Sequence, residues 1–383
     1  GADITGSKVG VAVQNGASPA LKKSDTVTLI HTTGGDLTTD ANNLVNNVAT
    51  MGTVSTLYEF ALSTQDNNKL LATVTKAGIN PQTKSFSEGR LGGLAFVNQG
   101  ADMASGTGME RATAAAQAGS NAFGAISGGS SRYESGSHVD VKGFSLIAGA
   151  AANLPNSAGK LMLGGFFEAG WGNYDSFNSF VDVADVNGKG DNRYYGAGVL
   201  AKQSFGDKFY AEGSVRAGKL ENDYSGVVAD TAVSYKMNKA YYGAHLGAGY
   251  VLPLGTGELD MYGKYLWTRQ KGGNVVIAGD SFTFKDINSQ RTRLGARYSY
   301  PLNTSTTLKL GAAWEYEFDA KAKASVNSMD ITAPEIKGST AVLDAGIKVS
   351  PASNKNLSFE AGIQGYAGKR KGVTGNVAVK YAF

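Results

Sequence analysis

Two features of the sequence use residue types that bind metal ions. Residues 185–192, DVNGKGDN, contain oxygen ligands of the kind found in a calcium loop, which spreads them over twelve positions and ends on a glutamate. With Asp185 in the first position, the twelfth is Gly196, so the pattern favours a solvated loop. The chain also has three widely separated histidines: His31, His138 and His245. The sequence therefore predicts no metal site and no cofactor.

A nucleophilic serine is a second candidate for chemistry. Ser281 lies in residues 279–282, GDSF, a stretch that resembles the GDSL box of one class of esterases. A serine nucleophile needs a base within hydrogen-bond reach. That esterase class has a DxxH sequence downstream, whereas this chain has no histidine after His245. Esterase activity at Ser281 is therefore not expected.

Charged side chains recur at every second position in much of the chain after about residue 120. In residues 208–218, KFYAEGSVRAG, an apolar or small set alternates with a set that contains Glu212 and Arg216. Residues 289–300, SQRTRLGARYSY, repeat the pattern with three arginines. An apolar face opposite a charged face is typical of a strand with lipid on one side and a watery lumen on the other. The charged residues predicted to face such a lumen are Glu168, Glu212, Arg216, Arg291, Arg293, Arg297 and Glu360.

Strands must position these residues, and the sequence predicts twelve of them, each of 10 to 16 residues. An even number suits a closed antiparallel barrel, which leaves no strand edge unpaired in lipid. The predicted strands are centred near residues 127, 146, 168, 199, 214, 246, 264, 296, 312, 345, 362 and 378. The pattern predicts a single barrel over residues 119–383.

The predicted connections alternate in length from the second strand to the eleventh. Short links such as FGDK and PASNK are each followed or preceded by a long one, such as DSFNSFVDVADVNGKGDN or LENDYSGVVADTAVSYKMNK. Outer-membrane barrels have short turns on the periplasmic side and long loops outside. A soluble β-sandwich has no reason to alternate so regularly. The connections therefore favour a transmembrane barrel.

Residues 83–118 lack the strand pattern and instead have apolar residues near helical spacing, at Phe86, Leu94 and Val97. Four glycines lie in the same stretch: Gly89, Gly92, Gly93 and Gly100. Each costs a helix in water roughly 1 kcal/mol relative to alanine. A glycine-rich helix is reasonable where surrounding walls enclose it closely. The alternative is a flexible glycine-rich linker.

Residues 1–80 contain short apolar runs separated by turn-forming stretches, which predict short strands. Residues 39–51, TDANNLVNNVATM, predict one helix among them. Two interpretations remain open: a small soluble β-domain, or the last rungs of a parallel β-solenoid whose earlier rungs are absent. The opening residues, GADITGSKVG, look like the start of a processed or truncated fragment.

The composition excludes several classes of protein. The 383 residues include 52 glycines and no cysteine, which excludes disulfides and thiolate-bound metals. No run approaches 18 apolar residues, so no transmembrane helix is predicted. The net charge is only +4, and GKRKG at residues 368–372 is the one dense basic block. Nucleic-acid binding is therefore not expected.

Taken together, these segments resemble the translocator domain of a classical autotransporter, a type V secretion protein. SEGRLGGLAFVNQGADMA resembles the pore-spanning helix of that family, and FGAISGGSSRYESGSHVDVKGFSLIAGAAANL resembles its first hairpin. NVAVKYAF resembles its C-terminal insertion signal, with Asn376, Tyr381 and Phe383 in the matching places and Ala378 where the signal usually has glycine. SDTVTLIHTTGGDL resembles the end of a secreted passenger.

The resemblance implies an all-β fold, in which a 12-stranded antiparallel transmembrane β-barrel holds a pore-spanning α-helix and follows a short β-solenoid-like passenger remnant. Residues 1–80 would be the passenger end, residues 83–118 the pore helix with its linker, and residues 119–383 the translocator. Polar helix residues would meet the charged residues of the lumen. The pore-helix residues singled out in this way are Glu88, Arg90, Gly93, Asn98 and Asp102.

The resemblance also implies a function without enzymatic chemistry: secretion of the chain's own passenger across the bacterial outer membrane and its anchoring there, with residues 1–80 at the cell surface. Its partners would be outer-membrane lipid, the barrel assembly machinery, periplasmic chaperones and the passenger itself, and the barrel would be a monomer. Some members of the family cleave their own helix at an asparagine, for which Asn98 is the one candidate; a structural role for it is favoured. The alternatives are a passive porin-like channel and a surface adhesin barrel.

Overall fold

The structure is a computed structural model and describes residues 1–13, 21–117, 119, 121–354 and 356–382. Phe383, the last residue of the predicted insertion signal, lies outside the described residues. Along the chain, a small N-terminal β-region is followed by a helical segment and then by a run of long strands.

The described residues of the N-terminal region form six short strands. They are β1 (Ala2–Asp3), β2 (Thr26–His31), β3 (Leu37–Thr38), β4 (Thr50–Met51), β5 (Thr56–Gln65) and β6 (Lys69–Ile79). Strands β1 and β3 pair in parallel, and an isolated parallel bridge joins Val9 to Leu44. The other four form an antiparallel sheet in the order β2-β6-β5-β4. Parallel pairing thus gives way to an antiparallel sheet before the helical segment begins.

The helix predicted over residues 39–51 is wrong. Only Ala41–Asn43 form a single 3₁₀ turn, which the side chain of Asp40 caps, and β4 follows it. Asn46 bonds to nearby backbone instead, by donating to the carbonyl oxygen of Leu44, and Asn47 has a positive φ of 55°. Asparagine side chains that compete for backbone groups favour turns over helix.

The helical segment has two parts, α1 (Lys84–Met103) and α2 (Met109–Gln117). A wider turn over Ala104–Gly108 separates them, and within it Gly106 has non-helical backbone angles of φ −104° and ψ −106°. Every residue of α1 is buried except Lys84, Gln99 and Asp102, which are partly buried. Because no face of α1 is exposed along its length, the helix is enclosed rather than laid on a surface, and the linker alternative for this segment is wrong.

The enclosure is a barrel, and within the described residues twelve strands close it. They are β7 (Asn121–Glu134), β8 (His138–Asn156), β9 (Gly159–Asn178), β10 (Val186–Phe205), β11 (Phe209–Val228), β12 (Thr231–Leu254), β13 (Gly257–Gln270), β16 (Ile287–Pro301), β17 (Thr306–Glu317), β20 (Gly338–Val349), β21 (Leu357–Gly368) and β22 (Arg370–Tyr381). Each pairs antiparallel with the next, and β22 pairs with β7 from Arg370↔Tyr133 to Tyr381↔Ala122. The predicted 12-stranded antiparallel barrel with a helix inside is confirmed.

Two loops of the barrel form a separate four-stranded sheet. Its strands are β14 (Gly273–Ile277), β15 (Asp280–Phe284), β18 (Ala324–Val326) and β19 (Met329–Asp330). The first two lie between β13 and β16, the last two lie between β17 and β20, and the sheet order is β14-β15-β18-β19. We call this element the lid sheet.

The two ends of the barrel differ. At one end, which we call the short-turn end, strands join through residues 157–158, 206–208, 255–256, 302–305 and 350–356. The opposite end, the long-loop end, has the lid sheet, and α1 begins there. Two predicted long loops at that end are mostly strand: β11 and β12 continue to a two-residue turn at Ala229 and Asp230, and β10 begins at Val186. Both turn residues have positive φ, 53° and 55°, in a hairpin that lacks the usual Asn-Gly or Asp-Gly signal.

Side chains on the barrel alternate between two environments. On the outside, large apolar residues such as Phe167, Leu246 and Leu310 are exposed, with fractions of 75%, 71% and 62%. Aromatic residues such as Phe144 and Trp171, which stack with ring centroids 5.4 Å apart, also lie on this surface. A continuous apolar outer surface of this extent needs a nonaqueous surrounding.

Candidate functional site

The candidate site is the interior of the barrel, where α1 and α2 meet the inward-facing side chains. α1 packs mainly against β8, β9, β10 and β11, and α2 packs mainly against β8, β7 and β22. The described residues of this interior form two kinds of wall, one apolar and aromatic and the other charged.

The apolar wall surrounds the first half of α1. Phe86, Leu91, Leu94 and Phe96 are at most 1% exposed and share one core cluster with Val141, Tyr174, Tyr194 and Leu220 of the barrel. The tyrosines also use their polar ends: the hydroxyl of Tyr235 donates to the carbonyl oxygen of Phe86 at 2.7 Å. The wall therefore contributes both hydrophobic contact and satisfied hydrogen bonds.

The helix glycines lie where this wall comes closest. A Cβ atom at Gly89 would lie 2.5 Å from the hydroxyl oxygen of Tyr174 and 2.9 Å from that of Tyr235. At Gly93 it would lie 3.1 Å from Leu220 and 3.3 Å from the side-chain nitrogen of Asn222. Glycine at these positions lets barrel side chains touch the helix backbone, and Asn222 donates to the carbonyl oxygen of Gly89 at 3.0 Å. A larger side chain at Gly89 would displace the helix or the tyrosines, whereas a small one at Gly93 would require its neighbours to shift only slightly.

Glu88 and Arg90 lie near the start of α1, at the long-loop end. The carboxylate of Glu88 is fully buried and accepts hydrogen bonds from Ser135 at 3.0 Å, from Ser137 at 2.5 Å and from Asn178. The guanidinium of Arg90 donates to the carbonyl oxygen of Lys271 at 2.5 Å. Neither residue meets any of the seven lumen charges singled out from the sequence; both bond to polar groups at the rim.

Asn98 lies deeper and contacts the charged wall. Its side-chain nitrogen donates to the hydroxyl of Ser289 at 2.9 Å, and its backbone carbonyl oxygen accepts from Arg291 at 3.4 Å. Ser289 in turn donates to Glu317 at 2.5 Å. Asn98 is thus part of a hydrogen-bond chain that joins α1 to β16 and β17.

Asp102 is the centre of the largest charge cluster. Arg291, Arg293 and Arg370 place guanidinium nitrogens 2.7, 3.3 and 3.1 Å from its carboxylate oxygens. Arg293 also lies 2.6 Å from Glu315. A single helix carboxylate therefore links β16 and β22 across the lumen.

Two other predicted lumen residues, Glu168 and Arg216, form an ion pair that contacts α1 through Arg216. Its Nε donates to Glu168 at 2.9 Å and its Nη1 donates to the carbonyl oxygen of Val97 at 3.1 Å. The hydroxyl of Tyr241 donates to the same oxygen of Glu168 at 2.5 Å. Arg216 thus bridges the carboxylate of Glu168 and the backbone of α1.

The remaining predicted lumen charges surround the wider turn and α2. Glu212 lies 2.8 Å from Lys264, whose ammonium donates to the carbonyl oxygen of Ser105 at 2.5 Å. Arg297 bonds to Glu110 and lies 3.3 Å from Asp344. Glu360 lies 2.6 Å from Arg111 of α2 and 2.9 Å from Lys309. All seven of these lumen residues have side chains inside the barrel.

Sequence reasoning missed further charged residues that complete these clusters, among them Glu110, Arg111, Lys264, Lys309, Glu315 and Arg370. Strand alternation was the available signal for the last four, since each shares the parity of inward-facing neighbours. Arg370 was counted only as part of a basic block. Glu110 and Arg111 are in α2, where the helix was expected but its charges were not considered.

A cavity of about 60 Å³ lies between the wider turn and the charged wall. Ser105, Gly106 and Thr107 form one side of it, and Lys264, Arg293 and Asn376 are among the residues on the other. Asn376 therefore faces the interior, whereas Tyr381 is 41% exposed on the outside near the short-turn end. The cavity is small and its lining is polar, so it suits ordered water better than a ligand.

Asp286 follows β15 and stabilises the base of the β14–β15 hairpin. Burial raises the pKa of its carboxylate, but hydrogen bonds from the N–H of Gly272 at 2.8 Å and from Lys271 and Arg269 outweigh burial and lower that pKa below its usual value. The carboxylate is therefore ionised at neutral pH and holds together the two chain segments that lead into and out of the β14–β15 hairpin.

Within the described residues, no group of three or more histidine, cysteine, aspartate or glutamate side chains is arranged to hold a metal ion. No helix in the described part of the chain is long and apolar enough to cross a bilayer. The interior groups are arranged as ion pairs and hydrogen bonds that fix the position of a helix.

Comparisons with known proteins identify the architecture. A sequence model of the autotransporter β-domain family matches residues 120–364. The sequence has no significant match among curated proteins. The transport unit of the autotransporter AIDA-I from Escherichia coli superimposes with a TM-score of 0.56 at 17% identity, over 69% of this chain and 90% of that chain.

Two further solved structures share the fold. For the translocator domain of the autotransporter NalP from Neisseria meningitidis, the TM-score is 0.53 at 18% identity, over 75% of this chain and 98% of that chain. For the β-domain of the Bordetella autotransporter BrkA, it is 0.50 at 14% identity, over 69% and 100%. At these identities the structural likeness supports the barrel fold, and the family assignment comes from the sequence model.

Proposed function

Because this chain belongs to the autotransporter β-domain family and is an outer-membrane translocator, we propose that its cargo is the polypeptide preceding α1 in the same chain. The barrel would carry that passenger across the outer membrane and then hold it at the cell surface. One observation carries the proposal: α1 starts at the long-loop end and α2 ends near the short-turn end, where β7 begins. Since short turns face the periplasm in such barrels, everything before α1 lies on the outer side.

The three segments would divide this work. Residues 1–80 would be the C-terminal end of the passenger, and the parallel pairing of β1 with β3 supports a solenoid rung there. Residues 83–118 would be the pore segment, and residues 119–383 the translocator. The passenger would thus be joined to the barrel by the pore helix.

Surface exposure of the passenger end tests this proposal. An epitope placed ahead of Gly1 should be labelled by antibody on intact cells, whereas an epitope in the short turn 206–208 should be labelled only after the cells are opened. Labelling of the first epitope only in opened cells would overturn the proposal. The porin-like alternative instead predicts a large conductance in planar bilayers, whereas a barrel filled by α1 should conduct weakly.

The pore residues would keep the helix in place once transport ends. Glu88, Arg90, Gly93, Asn98 and Asp102 would do so through the contacts described above, and the lumen charges would be their counterparts. The chain has no cysteine, so a pair introduced at Gly93→Cys and Asn222→Cys is the only one present. A short thiol crosslinker should join that pair in intact membranes.

The matched control for this crosslink replaces Glu221 instead of Asn222. Glu221 is adjacent in β11 but, since side chains alternate along a strand, it faces the outer surface. The Gly93→Cys and Glu221→Cys pair should therefore stay unlinked. Equal crosslinking of the two pairs would contradict a helix held against the inner side of β11.

Assembly would depend on partners outside the chain. We propose that Asn376, Tyr381 and Phe383 form a signal for the barrel assembly machinery and that periplasmic chaperones deliver the chain to it. A Tyr381→Ala substitution should reduce the amount of folded barrel in the membrane, whereas Lys380→Ala, its neighbour, should not. Equal yields would argue against the signal. The interior is filled by the chain itself, which supports a monomer.

Transport by this family needs no catalytic centre, and we propose that Asn98 serves as a structural residue rather than as a nucleophile. Its side-chain nitrogen already donates to Ser289, which supports that role. The purified chain should migrate as one species of 39.7 kDa. A fragment that ends at Asn98 and disappears in Asn98→Asp would show self-cleavage instead.

A further inference from the structure

The lid sheet lies over the start of α1. Phe282 and Phe284 of β15 are 0% and 3% exposed, and they share a core cluster with Ile277, Val326 and Ile331. The ring of Phe282 meets that of Phe86 edge-on, with centroids 5.2 Å apart, and Phe284 lies 5.5 Å from Tyr235. The inner face of the lid sheet is thus covered by the first turn of the helix and by the barrel rim.

Part of that cover comes from the passenger side of the helix. Val54, in the turn before β5, is 0% exposed and belongs to the same cluster. Ser55 next to it donates to the carboxylate of Asp280 at the tip of β15 and accepts from Asn327 at the β18–β19 turn at 3.3 Å. The two loops of the lid sheet therefore meet on one short stretch of the N-terminal region.

The segment that leads into α1 is held by the other long-loop connections. Gln82 donates to the carbonyl oxygen of Ala184 at 2.9 Å and accepts from the N–H of Ala229 at 2.8 Å. The side chain of Asn80 donates to the carbonyl oxygen of Val54 at 2.9 Å, which joins the two contact points. Four separate connections at the long-loop end thus contact Val54, Ser55 and Gln82: the two loops of the lid sheet, the loop with Ala184 and the turn with Ala229. We call these three residues the junction.

We propose that the lid sheet is a latch for the chain's own junction: it assembles over the outer mouth of the barrel only after the passenger has left. The proposal rests on the proposed function, because it assumes that a polypeptide passes through this mouth. A chain in transit must occupy the space where Phe86, Phe282 and the junction now meet. With Phe86 and Val54 elsewhere, the apolar inner face of the lid sheet would lose its cover and face water.

Such a latch needs a fixed base and two loops that can separate. Asp286 joins Lys271, Gly272 and Arg269 at the base of the β14–β15 hairpin, so the base stays fixed while the hairpin above it moves. The second half of the sheet comes from a different loop. In the described residues, the backbone contacts between the halves are the pairing of β15 with β18 and a hydrogen bond from the N–H of Lys285 to the carbonyl oxygen of Lys323 at 2.9 Å. The two loops can therefore separate without breaking any strand of the barrel.

A cysteine pair across the two loops tests the latch. Thr283 and Ser325 are register partners between β15 and β18. Thr283→Cys with Ser325→Cys should be crosslinked by a mild oxidant in the full chain after transport is complete. The same pair should stay unlinked in a chain stalled in transit by a domain, fused ahead of Gly1, that folds too early to pass. Crosslinking in the stalled chain would overturn the latch.

A second variant addresses the finished state. Phe282→Ala should leave surface labelling of an N-terminal epitope intact but expose the junction to protease and raise the conductance of the purified barrel. The matched control is Ser281→Ala, since Ser281 is the exposed neighbour in the same strand. Unchanged protease resistance and conductance in Phe282→Ala would overturn the latch. Loss of surface labelling in the unsubstituted chain would instead overturn the proposed function, so the two failures are distinguishable.

Discussion

The two walls of the lumen hold the same helix by different physical means. Strands β8–β11 offer apolar and aromatic side chains to the glycine-rich part of α1, whereas β16, β17, β21 and β22 offer arginines, a lysine and glutamates to Asp102 and α2. Hydrophobic contact is nondirectional and scales with buried area. Ion pairs between buried groups demand particular partners at particular heights.

The difference shows which wall mainly attracts α1 and which wall sets its position along the barrel axis. Most contacts of the apolar wall are nondirectional, so a small slide of α1 along the barrel axis would cost this wall mainly the fit of the glycines and the hydrogen bonds to Phe86 and Gly89. A slide of one turn would separate Asp102 from its three arginines and leave buried charges without partners, which is costly. The apolar wall therefore supplies attraction, and the charged wall fixes the axial register.

The largest effect is expected from Asp102→Asn. It removes one partner of a buried charge cluster and leaves Arg291, Arg293 and Arg370 with Glu315 as their nearest carboxylate. Loss of one partner of a buried ion pair costs about 3–5 kcal/mol. Urea unfolding of the refolded barrel in lipid vesicles measures this loss of unfolding free energy.

A control for Asp102→Asn should test whether burial causes the loss. Glu221→Gln removes a carboxylate from the outer surface of the same barrel and should leave the unfolding free energy nearly unchanged. If Asp102→Asn were equally harmless, the charged wall would have no role in register and the contrast between the walls would be wrong.

A smaller loss is expected from Gly89→Leu, which tests the apolar wall. The added side chain would begin within 2.5 Å of Tyr174 and 2.9 Å of Tyr235, so either α1 or the tyrosines must move. Overpacking of a filled interior costs roughly 1–3 kcal/mol. The same urea titration applies, with Gly365→Leu as its control, because no heavy atom lies within 4 Å of a Cβ at that position. A neutral Gly89→Leu would mean that the apolar wall is loosely packed.

The sequence predicts the strands of both walls but not which wall holds which part of the helix. Alternation at Glu212, Arg216 and Arg291 predicts a face, because period 2 is a local property of a strand. Which of two lumen faces α1 approaches depends on contacts between residues more than a hundred positions apart, such as Arg216 with Val97. Helical spacing in α1 cannot choose a side when every side is buried.

The lid sheet shows the same limit more sharply. Its central pairing joins residues 282–284 to residues 324–326, which come from different loops. A pairing between two separate loops leaves no local pattern from which the sequence could predict it. The two-residue turn at Ala229 and Asp230 was also not predicted, because alanine disfavours the positive φ that Ala229 adopts and the pair lacks the glycine of the usual hairpin signal. By contrast, the glycines of α1 were informative because close approach of a wall requires a missing side chain there.

The smallest effect is expected from Arg132→Ala. Arg132 forms the same kind of ion pair as the charged wall, but on the outside of the barrel. Arg132 contacts Asp140 through two nitrogens, each 2.7 Å from a carboxylate oxygen, yet its side chain is 46% exposed. Exposed pairs contribute about 0.2–1 kcal/mol, and salt screens them. The loss should shrink further between low and high sodium chloride, whereas that of Asp102→Asn should change little. If instead Arg132→Ala cost as much as Asp102→Asn at both salt concentrations, burial would not be what makes the charged wall hold the helix in register.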